Sequence, residues 1–240
     1  MNQQTLQQMN IMRLHGMAAS FKGLLESHSM NQMTTDQTIS TLLQAEWEDR
    51  ENKKIVRNIQ NAKFRYQASI EEIDYNHPRS LDKNQLMRFQ DCSFIKKAEN
   101  ILVSGATGLG KSYIASALGY QACLMGYRVY YCNLQKLFNR LKVSKADGSY
   151  LKEMERIEKQ DLLIIDDFGL QTLDNNASLM LLEIIEDRYG KRSTIIASQL
   201  TIDKWYDICS GKTVADAIFD RLLHGSHKIQ LNGDTMRKKK

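Results

Sequence analysis

Asn100-Ile-Leu-Val-Ser-Gly-Ala-Thr-Gly-Leu-Gly-Lys-Ser112 is the stretch whose reading decides the fold. Ile101, Leu102 and Val103 predict a short apolar strand, and Lys111 and Ser112 open a helix after a glycine-rich loop. The spacing Gly105-x-x-x-x-Gly110-Lys111-Ser112 is that of a phosphate-binding loop. Glycines at 105, 108 and 110 let the backbone turn tightly. The loop Gly105, Ala106, Thr107, Gly108, Leu109, Gly110 then aims its N–H groups at a phosphate. The helix N-terminus adds partial positive charge. Lys111 is placed to reach the β- and γ-phosphates, and the Ser112 hydroxyl to ligate Mg²⁺. A chance glycine turn would have neither the strand before it nor the helix after it.

Downstream, strands and helices alternate, which predicts a parallel sheet covered by helices. Gly126 marks the end of the loop's helix. A strand is expected over 128–132, a helix over 134–142 carrying Lys136, Arg140 and Lys142, and a turn at Asp147-Gly148. The strand Leu162-Leu163-Ile164-Ile165 ends in Asp166-Asp167. An apolar strand closed by two acids after a phosphate loop is the Walker B arrangement. The first carboxylate helps hold Mg²⁺, and the second orients or deprotonates an attacking water. An amphipathic helix follows over 174–189, closed by Gly190, and then a strand over 193–198 that ends in Ser198-Gln199. A helix over 215–224 carries Asp216, Asp220 and Arg221, and a last strand spans 227–231. The closing Met236-Arg237-Lys238-Lys239-Lys240 is basic.

Upstream, Leu6, Met9, Ile11, Leu14, Met17 and Phe21 are spaced for a helix with a packed apolar face. A second helix is expected over 38–69. On it Arg50, Lys53, Lys54 and Arg57 share one face. That face suits nucleic-acid phosphates; a solvated charged face, offset by Glu46, Glu48, Asp49 and Glu51, is the alternative. Pro78 is the single proline, and the boundary between a helical N-terminal domain (1–76) and the nucleotide domain (77–240) is placed near it.

Composition bounds the rest. A chain of 240 residues accommodates one sizeable domain, or one with a smaller companion. The net charge of +5 leans towards an anionic partner. No apolar run approaches a membrane span. The cysteines form no C-x-x-C pair and no signal-peptide pattern opens the chain, so a cytoplasmic location with reduced thiols is expected.

Taken together, Gly105-Ala-Thr-Gly-Leu-Gly-Lys-Ser112, Asp166-Asp-Phe-Gly169, Glu186-Asp-Arg-Tyr-Gly190, Ser198-Gln-Leu200 with Trp205, Ala215-Asp-Ala-Ile-Phe-Asp-Arg-Leu222 and Gly233-Asp-Thr-Met-Arg237 resemble the IstB-like ATPases. These are transposition helpers of bacterial insertion sequences, related to the helicase loader DnaC within the AAA+ class. Leu14-His-Gly-Met17 and Glu46 to Arg50 extend the resemblance over nearly the whole chain. It implies an α/β fold: an AAA+ P-loop NTPase whose parallel sheet is flanked by helices, plus a small helical N-terminal domain. Another strand should separate the P-loop strand from the Walker B strand. It also implies an ATP-dependent homo-oligomer on double-stranded DNA and delivery of that DNA to a cognate transposase. Residue by residue, Lys111 and Ser112 bind phosphate and Mg²⁺, and Asp166 supports the metal. Asp167 takes the place of a catalytic Glu, Gln199 resembles the strand-end sensor, Arg221 the arginine finger, and Arg237 a second sensor. Asp167 is one methylene shorter than Glu, and Thr201 stands where relatives often carry Pro. The competing functions are a replicative helicase loader, a nucleotide-gated DNA-binding module with little turnover, and, more distantly, a small-molecule P-loop kinase.

Overall fold

The computed structural model describes residues 2–236. It divides into two compact units, Met1–Arg57 and Asn58–Lys240.

The first unit holds α1 (Asn2–Ile11), α2 (His15–Glu26), a 3₁₀ turn at Ser29–Gln32 and most of α3 (Thr35–Ala62), which continues across the division. The apolar stripe expected over the first residues is split between two helices, because Arg13 takes a left-handed φ of 61°. Phe21 and Ala18 are buried, whereas Ile11 is 76% exposed. α2 crosses α3 closely at Gly16, where a Cβ would come within 2.7 Å of the Asp49 Cβ. Glu46, 6% exposed, accepts hydrogen bonds from the Met17 N–H (3.1 Å) and Arg50 Nε (2.7 Å). Its carboxylate thus serves the start of α2, where orphan N–H groups and the helix dipole favour an anion. Burial would raise its pKa, but Arg50 and the Met17 N–H outweigh burial and hold it low. On α3, Ile39, Leu43 and Trp47 recur every fourth residue and are exposed.

The second unit is built on a five-stranded sheet. Its elements are α4 (Lys83–Met87), α5 (Ser93–Lys96), β1 (Asn100–Gly105), α6 (Lys111–Leu124), β2 (Val129–Asn133), α7 (Leu134–Ala146), α8 (Tyr150–Glu158), β3 (Leu162–Phe168), α9 (Asn175–Arg188), β4 (Ser193–Ser198), a 3₁₀ segment Ile202–Ile208, α10 (Lys212–Leu223) and β5 (Ser226–Leu231). All pairings are parallel, in the order β2-β3-β4-β1-β5, so β4 lies between the P-loop strand and the Walker B strand. Strands buried on both faces need near-continuous apolar runs, which Ile101–Val103, Leu162–Ile165 and Thr194–Ala197 supply. Ile101, Val103, Ile164 and Ile195 pack with Ile114 and Leu118 of α6 on one face. Leu102, Leu163, Ile165 and Ile196 pack on the other face with α7, α9 and α10 and with the fully buried Trp205.

The strand expectations hold to within two residues at each end, except that β3 runs three residues past Ile165, through both aspartates to Phe168. Two other expectations are corrected, and helix α8 was not foreseen. The helix expected over 38–69 stops at Ala62, because Lys63 adopts a φ of 58° and ends it. The division falls at 57/58 and not near Pro78: Ala62, Ala68, Ile70 and Ile73 are buried in the same core as β1. α8 is an element that the sequence reading left out, although Leu151, Met154 and Ile157 recur at helical spacing and Met154 and Ile157 are buried. Thr201 holds φ −66°, the angle a proline ring imposes, so Thr in place of Pro leaves that turn's conformation unchanged.

Candidate functional site

The carboxyl ends of four neighbouring strands meet at one place, as ligand sites do in open parallel sheets. β1 delivers the phosphate loop, β2 delivers Asn133, β3 delivers Asp166 and Asp167, and β4 leads into Gln199. In the loop, Gly108 and Gly110 take φ of 89° and 85°, which side chains with a Cβ rarely adopt. A Cβ at Gly110 would also collide with the Arg79 guanidinium. Lys111 starts α6 and is 8% exposed; its Nζ donates to the Ala106 carbonyl at 2.8 Å. The Ser112 hydroxyl donates to Asp166 Oδ1 at 2.9 Å. Thr107 Oγ1 and Gln199 Oε1 are 2.8 Å apart, so the strand-end glutamine touches the loop. The loop after β4 is pinned from below: Ser198 Oγ donates to the Phe168 carbonyl (2.8 Å) and Trp205 Nε1 to the Leu200 carbonyl (3.1 Å). Trp205 packs its ring against Phe168, 4.9 Å between centroids.

The two aspartates differ in setting. Asp166 is 2% exposed, and Tyr131 donates its hydroxyl to Oδ2. Burial first, and then the Asp166 charge, push the Tyr131 hydroxyl up, so it stays protonated as a donor. Asp167 sits in a bulge: between the pairs Ile165–Ile196 and Phe168–Ser198, β3 has two residues where β4 has one. Its φ is 56°, a left-handed conformation that a bulge accommodates and that turns the side chain out of the strand's alternation. Asn133 Nδ2 donates to Asp167 Oδ2 at 2.9 Å, while its Oδ1 caps α7 through the N–H groups of Gln135 and Lys136. Arg65 Nη1 lies 3.4 Å from Asp166 Oδ2 and 3.2 Å from Asp167 Oδ2.

Arg79 is 2% exposed and ties three segments together. It donates to the carbonyls of Leu109 and Asp74, both at 2.7 Å, and meets Met236 Sδ at 3.0 Å. Burial pulls its guanidinium below the ordinary range. The Met236 N–H donates to the Gly108 carbonyl at 3.0 Å, which brings the end of the described chain onto the loop. Together these groups line a cavity of about 470 Å³ that includes Tyr66, Glu72, Lys111, Ser112, Tyr113 and Asp167.

The structure therefore brings Lys111, Ser112, Asp166, Asp167 and Gln199 together. Arg221 is not with them. It lies on the last turn of α10, at the amino end of the sheet, paired with Glu186 at 3.0 Å rather than with an acid of its own helix. The length of β1, roughly 20 Å, separates that end from the loop. Arg237 lies outside the described residues. Of the basic face on α3, Arg50, Lys53 and Lys54 each pair with an acid one turn away. Sequence reading missed Arg65, Arg79, Asn133 and Tyr131. Only Asn133 carried a local signal, an Asn between strand and helix at a capping position.

A model of the IstB-like ATP binding protein family matches residues 7–240. The chain belongs to that family. It is an ATP-binding AAA+ protein of the P-loop ATPase class. A Sinorhizobium fredii protein named for an insertion sequence and for ATP binding, y4pL, is 39% identical over 234 residues, covering 98% of this chain and 96% of its own. Among solved structures, DnaI superposes with a TM-score of 0.59 at 20% identity, covering 71% of this chain and 91% of that one. The DnaC helicase loader gives 0.56 at 20% identity, covering 70% and 98%. These likenesses bear out the AAA+ fold of this IstB-like chain. No helix among the described residues is long and apolar enough to cross a membrane.

Proposed function

We propose that this IstB-like chain hydrolyses ATP with Mg²⁺ as a homo-oligomer on double-stranded DNA, and assists a transposase in moving an insertion sequence. The observation that carries the chemistry is the meeting of Ser112 Oγ and Asp166 Oδ1 at 2.9 Å beside Lys111. Both are hard oxygen donors of the kind Mg²⁺ takes. Among the described residues no group of three His, Cys, Asp or Glu could hold a metal alone. That suits an ion that draws its other ligands from nucleotide phosphates and water. The transposition context rests on family membership and on relatives named for insertion sequences. The same names favour it over a helicase-loader role.

The chain's own groups divide the work. The loop N–H groups and Lys111 bind and orient the phosphates. Mg²⁺, when bound, neutralises charge on the β- and γ-phosphate oxygens. Ser112 and Asp166 hold the ion's place, with Tyr131 fixing Asp166. Asp167 orients the attacking water and takes its proton, and Gln199 faces the γ end of the loop. Arg221, remote from its own loop, acts on the nucleotide of a neighbouring subunit, where a finger contributes about 10³–10⁵ in rate. DNA is gripped through its backbone by the α3 face Arg50, Lys53, Lys54 and Arg57. Lys53 and Lys54 pair with acids that keep contact with water, and such pairs are weak and leave these two lysines available, while Arg50 keeps its contact with the nearly buried Glu46.

One observation favours a second reading, a nucleotide-gated binding module with little turnover. Asp167 is short, backbone-constrained and already held by Asn133 and Arg65. The deciding experiment measures ATP turnover on duplex DNA for the wild type, Arg221→Ala, Asp167→Asn, and the two variants mixed. Each variant should be inactive alone, and the mixture should recover part of the wild-type rate, since some interfaces pair an intact Asp167 with an intact Arg221. No recovery despite co-assembly would reject the shared site. A wild type that binds ATP but turns none over would establish the second reading.

A further inference from the structure

Arg65 is half-exposed, and its described hydrogen bonds go to the two acidic residues alone, at 3.4 and 3.2 Å. It lies in the turn that follows α3, its guanidinium over the Tyr66 ring at 5.6 Å, and it lines the nucleotide cavity. Two carboxylates side by side, one of them buried, need a counter-charge while the site holds no cation. A guanidinium stays protonated throughout the working pH range, so Arg65 supplies that charge. A divalent ion at Ser112 and Asp166 would lie within a few ångströms of that guanidinium, and like charges at that range repel. The guanidinium must then leave Asp166, and within the cavity it already lines, beside the carboxylates of Glu72, Asp74 and Asp167, the phosphate oxygens of the nucleotide offer it the densest negative charge.

We propose that Arg65 is a positioning residue that holds the Asp166–Asp167 pair in the metal-free site and passes to the phosphates when Mg·ATP binds. It therefore opposes a metal ion arriving alone and supports one arriving with nucleotide. Binding of metal and nucleotide is coupled through one side chain. This inference rests on the nucleotide-site reading above.

The test uses the full chain and two probes. Mn²⁺ alone, followed by the electron-paramagnetic signal of the free ion, should bind Arg65→Gln about tenfold more tightly than the wild type, because no charge-assisted hydrogen bond has to be displaced. A fluorescent ATP analogue with Mg²⁺ should bind Arg65→Gln about tenfold more weakly, because a hydrogen bond of the same strength is then missing at the phosphates. Arg65→Lys should restore both affinities most of the way, which a merely structural role would not do. Thermal unfolding checks that each variant folds. Unchanged Mn²⁺ affinity, or unchanged Mg·analogue affinity, in folded Arg65→Gln would overturn the proposal. Failure of the site reading itself looks different: wild type and Lys111→Ala would then bind the analogue equally.

Discussion

Asp167 is constrained from three directions: a left-handed φ of 56°, Asn133 at 2.9 Å and Arg65 at 3.2 Å. None of these touches the phosphate loop, so changing the carboxylate should separate binding from turnover. Asp167→Asn should leave ATP binding in place, at wild-type affinity or somewhat tighter because Arg65 is held less firmly, and slow hydrolysis by about 10²–10⁴, the usual range for losing a general base. Single-turnover measurements at saturating ATP check this, and a wild-type rate would mean that another group orients the water. At this scale the sequence was legible where chemistry follows local spacing. That Lys111, Ser112, Asp166 and Asp167 lie together was readable, since strand, loop and helix order fixes where they sit. Arg65 was not, because its partners lie about a hundred positions along the chain. Tyr131 was hidden in a strand where an aromatic reads as core. Asp167's bulge has no local signature either.

At the scale of elements, the first unit depends on a polar contact between helices. Glu46 on α3 serves the N-terminus of α2 and is nearly buried. Its removal leaves the Met17 N–H without its partner. Glu46→Ala should therefore cost the first unit about 0.5–2 kcal/mol, the range for a lost helix cap. Hydrogen exchange of the α2 amides reads this directly, and unchanged protection would show that Phe21 and Ala18 hold α2 by packing alone. The resemblance at Leu14–Met17 and at Glu46–Arg50 covers both halves of this contact. Periodicity could propose both helices but could not pair them. The missed break at Arg13 and the early end of α3 share a cause. A single residue with positive φ ends a helix, and neither Arg13 nor Lys63 is a residue type that announces it.

Across the whole molecule, the parallel sheet covered by helices followed from apolar strands alternating with helices, and the strand between the P-loop and Walker B strands from the family resemblance, whereas the division at 57/58 followed from neither. The segment after Ala62 is polar in sequence, yet Ala68, Ile70 and Ile73 are enough to anchor it in the core. The same core buries the thiols of Cys92 and Cys123, and the core on the other face of the sheet buries that of Cys132. Burial pushes Cys92 up to about 11, and Cys123 and Cys132 up to about 12. In the unfolded chain they ionise near about 8.5. Between these values the unfolded chain has released protons that the fold retains, so stability falls as pH rises, by about 1.4 kcal/mol per pH unit for each thiol. Urea unfolding from pH 8 to 11 should show that decline, and Cys123→Ala should flatten it; a level profile would mean that the thiols are not desolvated. The central claim is narrower: the cavity beside Lys111, Ser112 and Asp166 takes ATP with a divalent ion. Titration calorimetry of Mg·ATP into the full chain, wild type against Lys111→Ala, tests it most directly. Affinity should fall about 100-fold, or below detection, on losing the charge aimed at the β- and γ-phosphates, and an unchanged affinity in a folded variant would contradict the claim.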